Sequence, residues 1–196
     1  MKLAVFDFDG TLTARDSFFS FLIEYFSFSK IISGIIILLP VFIFYKLRWM
    51  NPDKAKEKVI RYFFTGQNIY SVKKFSSDFS ASKIPALITE RGNACLKKYK
   101  DNNFKIVILS ASLEVYLKPW CDSQGFECIA TQLKIENEKF TGDIDGHNCR
   151  GNEKLIRLKE KYDLGSFEEI HSFGNSRSDK PFMSVANHSF YRTLPV

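Results

Sequence analysis

Three apolar runs in this chain end on polar groups that can do chemistry. Lys2 to Phe6 runs into Asp7 and Asp9, and Lys105 to Leu109 runs into Ser110. Glu169 to Phe173 runs into Gly174-Asn175-Ser176, with Asp179 close behind. Lys154 follows Gly151 at the start of a helical stretch. Short apolar runs of this kind read as buried strands, and in open parallel sheets the site lies beyond the carboxyl ends of the strands. The four groups can therefore converge. Together they suit phosphoryl transfer. One carboxylate of the Asp7/Asp9 pair can attack phosphorus, and the other, two residues away, can handle the proton of the leaving group. Lys154 can neutralise the equatorial oxygens, and Ser110 can donate a hydrogen bond to one of them. An electron-rich phosphoryl group repels a carboxylate unless a cation offsets the charge. Mg²⁺ does so when held by one or two carboxylates with phosphate oxygen and water. Taken singly each piece is commonplace: a turn, a strand end, a solvated lysine, a helix cap. Their order and their placement at strand ends make the set specific.

The elements that must position these groups alternate between strand and helix. Helical texture is expected over 52–65, 68–82, 85–100, 113–124, 152–162 and 178–187. Strands are expected at 2–6, 105–109, 126–130, 169–173 and 189–193, with a hairpin of 133–136 and 139–142 around Asn137-Glu138. The pattern predicts an α/β fold: a Rossmann-like parallel sheet with helices on both faces. Residues 1–12 and 84–196 make up the α/β core, and 13–83 form an inserted α-helical unit.

The chain has 196 residues, enough for one core without disulfide or metal staples. It carries 45% hydrophobic and 26% charged residues and a net charge of +6. That composition excludes a disordered or fibrous chain and suits an anionic partner. The four cysteines lack metal-ligand spacing and read as free thiols in a reducing compartment. Asp7 and Asp9 interrupt any apolar leader, so the catalytic part is expected in the cytoplasm.

The insert has a texture of its own. Residues 18–49 hold ten aromatics, and Ile31 to Tyr45 carries no charge. As a helix that run of 15 residues reaches about 22 Å, short of the about 20 residues that cross a bilayer core. Two readings stay open for 31–45: the apolar core of the insert, or an element docked on a membrane. The next stretch, Lys46 to Arg61, has six basic and two acidic residues, or +4 of the chain's +6. Basic charge beside an aromatic-rich apolar run is how proteins sit at the inner face of an anionic membrane. Nucleic acid is not expected as a partner, because the cations flank an apolar run rather than a basic-aromatic groove.

The sequence resembles the haloacid dehalogenase-like hydrolase superfamily. The likeness runs over Asp7-Phe8-Asp9-Gly10-Thr11, Ser110, Lys154 and Gly174-Asn175-Ser176-Arg177-Ser178-Asp179. The stretch 133–154 is similar to the phosphoserine phosphatase branch, which inserts a helical cap where residues 13–83 fall. The resemblance implies an Mg²⁺-dependent phosphatase acting through an aspartyl-phosphate. Asp7 would be the nucleophile and a metal ligand. Asp9 would be the general acid/base, its main-chain carbonyl also on the metal. Thr11 and Ser110 would contact phosphate, and Lys154 would steady Asp7 and the phosphoryl group. Asn175 and Asp179 would complete the metal site. Asp9 favours phosphoryl transfer over dehalogenation, since the superfamily's dehalogenases lack that second Asp. The fourth motif departs from the family: it commonly begins Gly-Asp and here begins Gly174-Asn175. The apolar, basic-flanked insert is similar to that of the bacterial phosphatidylglycerophosphatase C relatives. That likeness implies a lipid phosphate as substrate, and a small soluble phosphomonoester of the phosphoserine type is the alternative. A phosphate-binding or membrane-docking module without catalysis is a third reading, supported by Asn175 alone.

Overall fold

The structure, a computed structural model, describes residues 1–195. Strand β1 (Lys2–Phe6) leads into four helices, α1 (Ser17–Tyr25), α2 (Phe28–Lys46), α3 (Pro52–Phe64) and α4 (Ile69–Leu87). Then come α5 (Glu90–Asp101), β2 (Phe104–Leu113), α6 (Glu114–Gln124), β3 (Glu127–Thr131) and a hairpin of β4 (Leu133–Glu136) and β5 (Lys139–Ile144). The described chain closes with α7 (Asn152–Lys161), β6 (Glu169–Gly174), the single turn α8 (Lys180–Met183) and β7 (His188–Tyr191).

The main sheet has the order β3-β2-β1-β6-β7, and all its pairings are parallel. The fold is the α/β architecture that the alternation implies. Successive side chains of a strand point to opposite faces, and β1 feeds two cores in this way. Ala4, Phe6 and Phe8 enter one, while Leu3 and Val5 enter the other. Phe6 stacks on Phe173 of β6 with centroids 4.1 Å apart, fixing the two central strands side by side. The chain therefore leaves β1 at Asp7 and β6 at Gly174 as neighbours, and Asp7 N–H donates to the Phe173 carbonyl (2.9 Å).

Several boundaries differ from the sequence expectation. β2 was expected to stop at Ser110 but runs on to Leu113, with a register shift against β3 between Leu109 and Leu113. Ser110-Ala111-Ser112 carries no strand signal of its own. The irregular pairing and the Ser112 N–H donating to Ser110 Oγ (3.0 Å) hold it extended. The expected break between helices at residues 83–84 falls instead at Ile88-Thr89. α4 continues through Pro85, which stands in its last turn, and the Thr89 side chain caps α5 by accepting from Gly92 N–H (2.9 Å). The helix expected over 178–187 shrinks to a 3₁₀ turn at Arg177–Asp179 and the four residues of α8. Asn187 accepts from Ile170 N–H instead (2.7 Å). The last strand ends at Tyr191 rather than residue 193, because Arg192 takes φ +58°.

Helices α1, α3 and α4 share an aromatic cluster with the sheet layer. Phe21 stacks on Tyr116 of α6 (4.9 Å) and meets Phe79 edge-on (5.2 Å). The helix α2 is different. It runs unbroken through Pro40 and lies along α3, with Gly34 making the close approach: a Cβ there would sit 2.7 Å from the Phe63 ring. Only Gly34 and Leu38 of α2 are buried. Ile32, Ile35, Ile36, Ile37, Leu39, Ile43 and Phe44 are exposed, as is Trp49 beyond the helix, and Phe28 is 81% exposed. By length and composition α2 could cross a membrane, the one such helix among the described residues.

Candidate active site

Asp7, Asp9, Ser110, Lys154, Asn175 and Asp179 line one cavity of about 430 Å³ at the carboxyl ends of β1, β2 and β6. Lys154, 2% exposed, bridges two carboxylates: its Nζ donates to Asp7 Oδ1 (2.6 Å) and Asp179 Oδ1 (2.7 Å). Burial alone would lower the Lys154 pKa, but the two carboxylates outweigh it and hold it above the ordinary lysine value. Burial pushes the Asp7 carboxyl up, while Lys154 and the Thr11 hydroxyl oppose the rise. Asp179 is held below the usual carboxylate range. The Lys154 ammonium, with Ser176, overcomes the burial that would raise it.

Thr11 stands apart from the cavity. Its hydroxyl donates to Asp7 Oδ2 (2.7 Å), and Thr11 lines a separate pocket with Gly10, Gly174 and Arg192. Gly10, at φ +73°, makes the tight turn that follows Asp9, and a Cβ there would collide with the Asn175 amide.

Asp9 is held by groups that the sequence reading missed. Its Oδ1 accepts from Ser17 N–H (2.7 Å), and its Oδ2 from Ser17 Oγ (3.0 Å) and the Ser112 hydroxyl. Ser17 Oγ also meets Tyr116 OH (3.2 Å). Burial, with the charge of Asp16, raises Asp9 to about 6 against the hydrogen bonds of Ser112 and Ser17. Asp16 itself caps α1, accepting from Phe19 N–H (3.0 Å), the local role its position before Ser17 suggests.

The oxygens that could hold Mg²⁺ gather here: the Asp7 carboxylate, the Asp9 main-chain carbonyl and the Asn175 amide. The Asn175 amide lies 3.2 Å from the Asp9 carbonyl oxygen, and turned over it presents Oδ1 to the same space. Hard oxygen donors fit Mg²⁺. Asp179 is otherwise committed: its Oδ2 accepts from Ser176 N–H (2.8 Å), Ser176 Oγ (2.7 Å) and Asn175 N–H (3.2 Å). It shapes the loop that carries Asn175.

The outer cavity is walled by Phe18 and Phe19 of α1, Phe42 and Tyr45 of α2, and Val59 of α3. Lys56, Asn148 and Arg150 also line it. Lys56 Nζ donates to the Ala111 carbonyl and to Asn148 Oδ1 (2.9 Å), and burial lowers its pKa to about 8.

Comparison with known proteins gives the family and the fold. The model of the haloacid dehalogenase-like hydrolases matches residues 4–184. Protein CicA of Caulobacter vibrioides is 29% identical over 192 residues, 97% of this chain and 85% of that protein. A protein of unknown function from Bordetella pertussis Tohama I superposes with a TM-score of 0.83 at 18% identity, covering 96% of this chain and 88% of that one. A phosphoserine phosphohydrolase-like protein from Francisella tularensis subsp. tularensis SCHU S4 gives 0.66 at 19% identity, covering 94% and 82%. With its carboxylates, hydroxyl and lysine at the strand ends and the family model spanning nearly all of it, the chain belongs to the haloacid dehalogenase-like hydrolases.

Proposed function

We propose that this enzyme is a phosphatase of an amphiphilic phosphomonoester, a lipid phosphate such as phosphatidylglycerophosphate, taken at an anionic membrane face. Helices α1–α4 act as its cap. One observation carries the substrate reading: Phe42 and Tyr45 wall the catalytic cavity from the same helix whose other side chains form the exposed apolar face. A phosphate headgroup can reach Asp7 while its acyl chains stay beside α2. Both ends of α2 return to helices packed on the same body, so it would lie on a bilayer rather than cross it. Lys30, Lys46, Arg48 and Lys54 flank the apolar face and match an anionic surface.

In the mechanism, the Asp7 carboxylate attacks phosphorus and the bond to the leaving oxygen breaks. Asp9, whose pKa near 6 lets it carry a proton close to neutral pH, donates that proton to the leaving oxygen. A water then attacks the aspartyl-phosphate, Asp9 takes its proton, and Asp7 and phosphate are released. Lys154 holds Asp7 in line and neutralises phosphoryl charge, and Ser110 donates to an equatorial oxygen. Asp7, the Asp9 carbonyl and Asn175 would hold Mg²⁺, which when bound neutralises charge on the phosphoryl oxygens.

The deciding experiment measures Mg²⁺-dependent phosphate release from phosphatidylglycerophosphate in mixed micelles beside a panel of soluble phosphomonoesters. Strong preference for the lipid supports the reading. Preference for a soluble ester sinks it in favour of the alternative, for which the charged groups Asp16, Lys56 and Arg150 in the same cavity speak.

Two further outcomes are expected. The double substitution Ile36→Glu and Leu39→Glu touches neither cavity nor core. It removes apolar contact worth at least about 3 kcal/mol, or about 100-fold in vesicle affinity. Turnover of a soluble aryl phosphate should stay unchanged. Sedimentation with anionic vesicles measures the first and a plate assay the second. Asn175→Asp restores a carboxylate among the metal donors, and the Mg²⁺ concentration for half-maximal activity should fall about tenfold. An unchanged Mg²⁺ requirement would place position 175 outside the metal site.

A further inference from the structure

A second constellation lies at the amino end of β6, away from the catalytic cavity. His171 of β6 is paired in register with His188 of β7, so the two imidazoles stand side by side across the parallel strands. Glu169 is two residues before His171 and so on the same face of β6. Glu169 Oε1 lies 2.6 Å from His171 Nε2 and 3.7 Å from His188 Nε2, and one ligand atom from each residue falls within 4.8 Å of the others.

The surroundings orient each ligand. Tyr99, buried on α5, places its hydroxyl 2.7 Å from His171 Nδ1. With the imidazole proton on Nδ1 and donated to that oxygen, Nε2 is left free to coordinate. Lys2 Nζ takes the other carboxylate oxygen, Oε2 (2.8 Å), leaving Oε1 for the cluster. An oriented imidazole whose second nitrogen meets a fixed partner is the usual support of a metal-bound histidine. His188 is the accessible member, exposed on the edge strand.

We propose that Glu169 Oε1, His171 Nε2 and His188 Nε2 form a surface site for a late first-row divalent cation, Zn²⁺ by the two-nitrogen, one-oxygen donor set, with water completing the coordination. The ligands come from two hydrogen-bonded strands, so the ion ties edge strand β7 to β6. It does not depend on the phosphatase reading, and its test uses no activity.

The experiment is equilibrium dialysis of tag-free protein against Zn²⁺ with excess Mg²⁺, with Co²⁺ absorption as the spectroscopic readout. The wild type should retain one Zn²⁺ that His188→Ala loses. Co²⁺ should give a tetrahedral visible band that disappears in the variant, and Zn²⁺ should raise the unfolding temperature of the wild type only. Tyr99→Phe should weaken Zn²⁺ binding at least about tenfold while leaving the stoichiometry at one. His188→Gln repeats the test should the alanine variant fold poorly. Equal Zn²⁺ retention and an unchanged Co²⁺ spectrum in the His188 variants would overturn the proposal.

Discussion

Asp7→Asn should stop phosphate release, with kcat falling on the order of 10⁴-fold or more, while the chain folds and still binds its phosphomonoester. The amide has nearly the volume of the carboxylate, so the packing behind Phe6 is undisturbed. Its oxygen can still accept from Thr11 or Lys154, and Lys154 keeps Asp179 as a partner. What is lost is the group proposed as the nucleophile. Burial raises the Asp7 pKa, so ionisation of this group opposes folding as pH rises above the ordinary carboxylate value. At neutral pH the unfolding temperature of the variant should therefore hold or rise. Phosphate release and a thermal melt, run together, check both halves. Residual turnover within tenfold of wild type would assign the attack to another group.

Lys154→Ala should damage stability as well as catalysis. The wild-type ammonium is fully enclosed between Asp7 and Asp179. Removing the only cation between two buried carboxylates costs about 3–5 kcal/mol, because both negative charges then stay buried without compensation. For a chain of this size that is roughly 10 °C in unfolding temperature. The pH dependence has a definite sign. In the wild type Asp179 is depressed, so its stabilising contribution is present above the ordinary carboxylate pKa and is lost as pH falls through the folded value. Without Lys154 both carboxylates are desolvated and face one another, which raises their pKa values. The variant should then regain stability as the pH is lowered, and its deficit should be largest near pH 7. Melts across pH without added divalent ions test this. A deficit that does not vary with pH would mean that lost packing, rather than unpaired charge, is the cause.

The candidate groups were legible as an ordered set: Asp7 and Asp9 follow β1, Ser110 lies in β2, Lys154 stands at the start of α7, and Asn175 and Asp179 follow β6. None of them was distinctive alone; their order and spacing were, and the parallel sheet that collects them follows from strand-helix alternation. The hydrogen bonds that tune Asp9 were not legible. Ser112 is 103 residues from Asp9, and Tyr116 is 99 from Ser17, and a serine near a strand end carries no mark of its partner. The extension of β2 past Ser110 was hidden for a related reason: extended backbone at Ser110-Ala111-Ser112 is set by neighbouring strands, not by local propensity. The sequence also left open which way α2 faces. Its apolar residues run around the whole helix, so periodicity cannot distinguish a core helix from a surface one. In the structure Gly34 and Leu38 are buried, Ile31, Val41 and Phe42 pack half-buried against the core, and most of the helix's other large apolar side chains are exposed.

The way Ser17 holds Asp9 has a mechanical consequence. Ser17 is the first residue of α1, and its amide and hydroxyl grip the carboxylate, while the next two residues, Phe18 and Phe19, form part of the cavity wall. In the proposed reaction, the wall that would meet the departing alcohol and two of the hydrogen bonds that oppose the rise of the Asp9 pKa thus come from three consecutive residues on one helix. A leaving group that pushes α1 outward loosens the grip on Asp9, and looser hydrogen bonds to the ionised form make it keep its proton more readily. On the proposed mechanism, fit at the mouth would then couple to proton affinity at the centre, and a poorly fitting alcohol would be penalised in proton transfer as well as in binding.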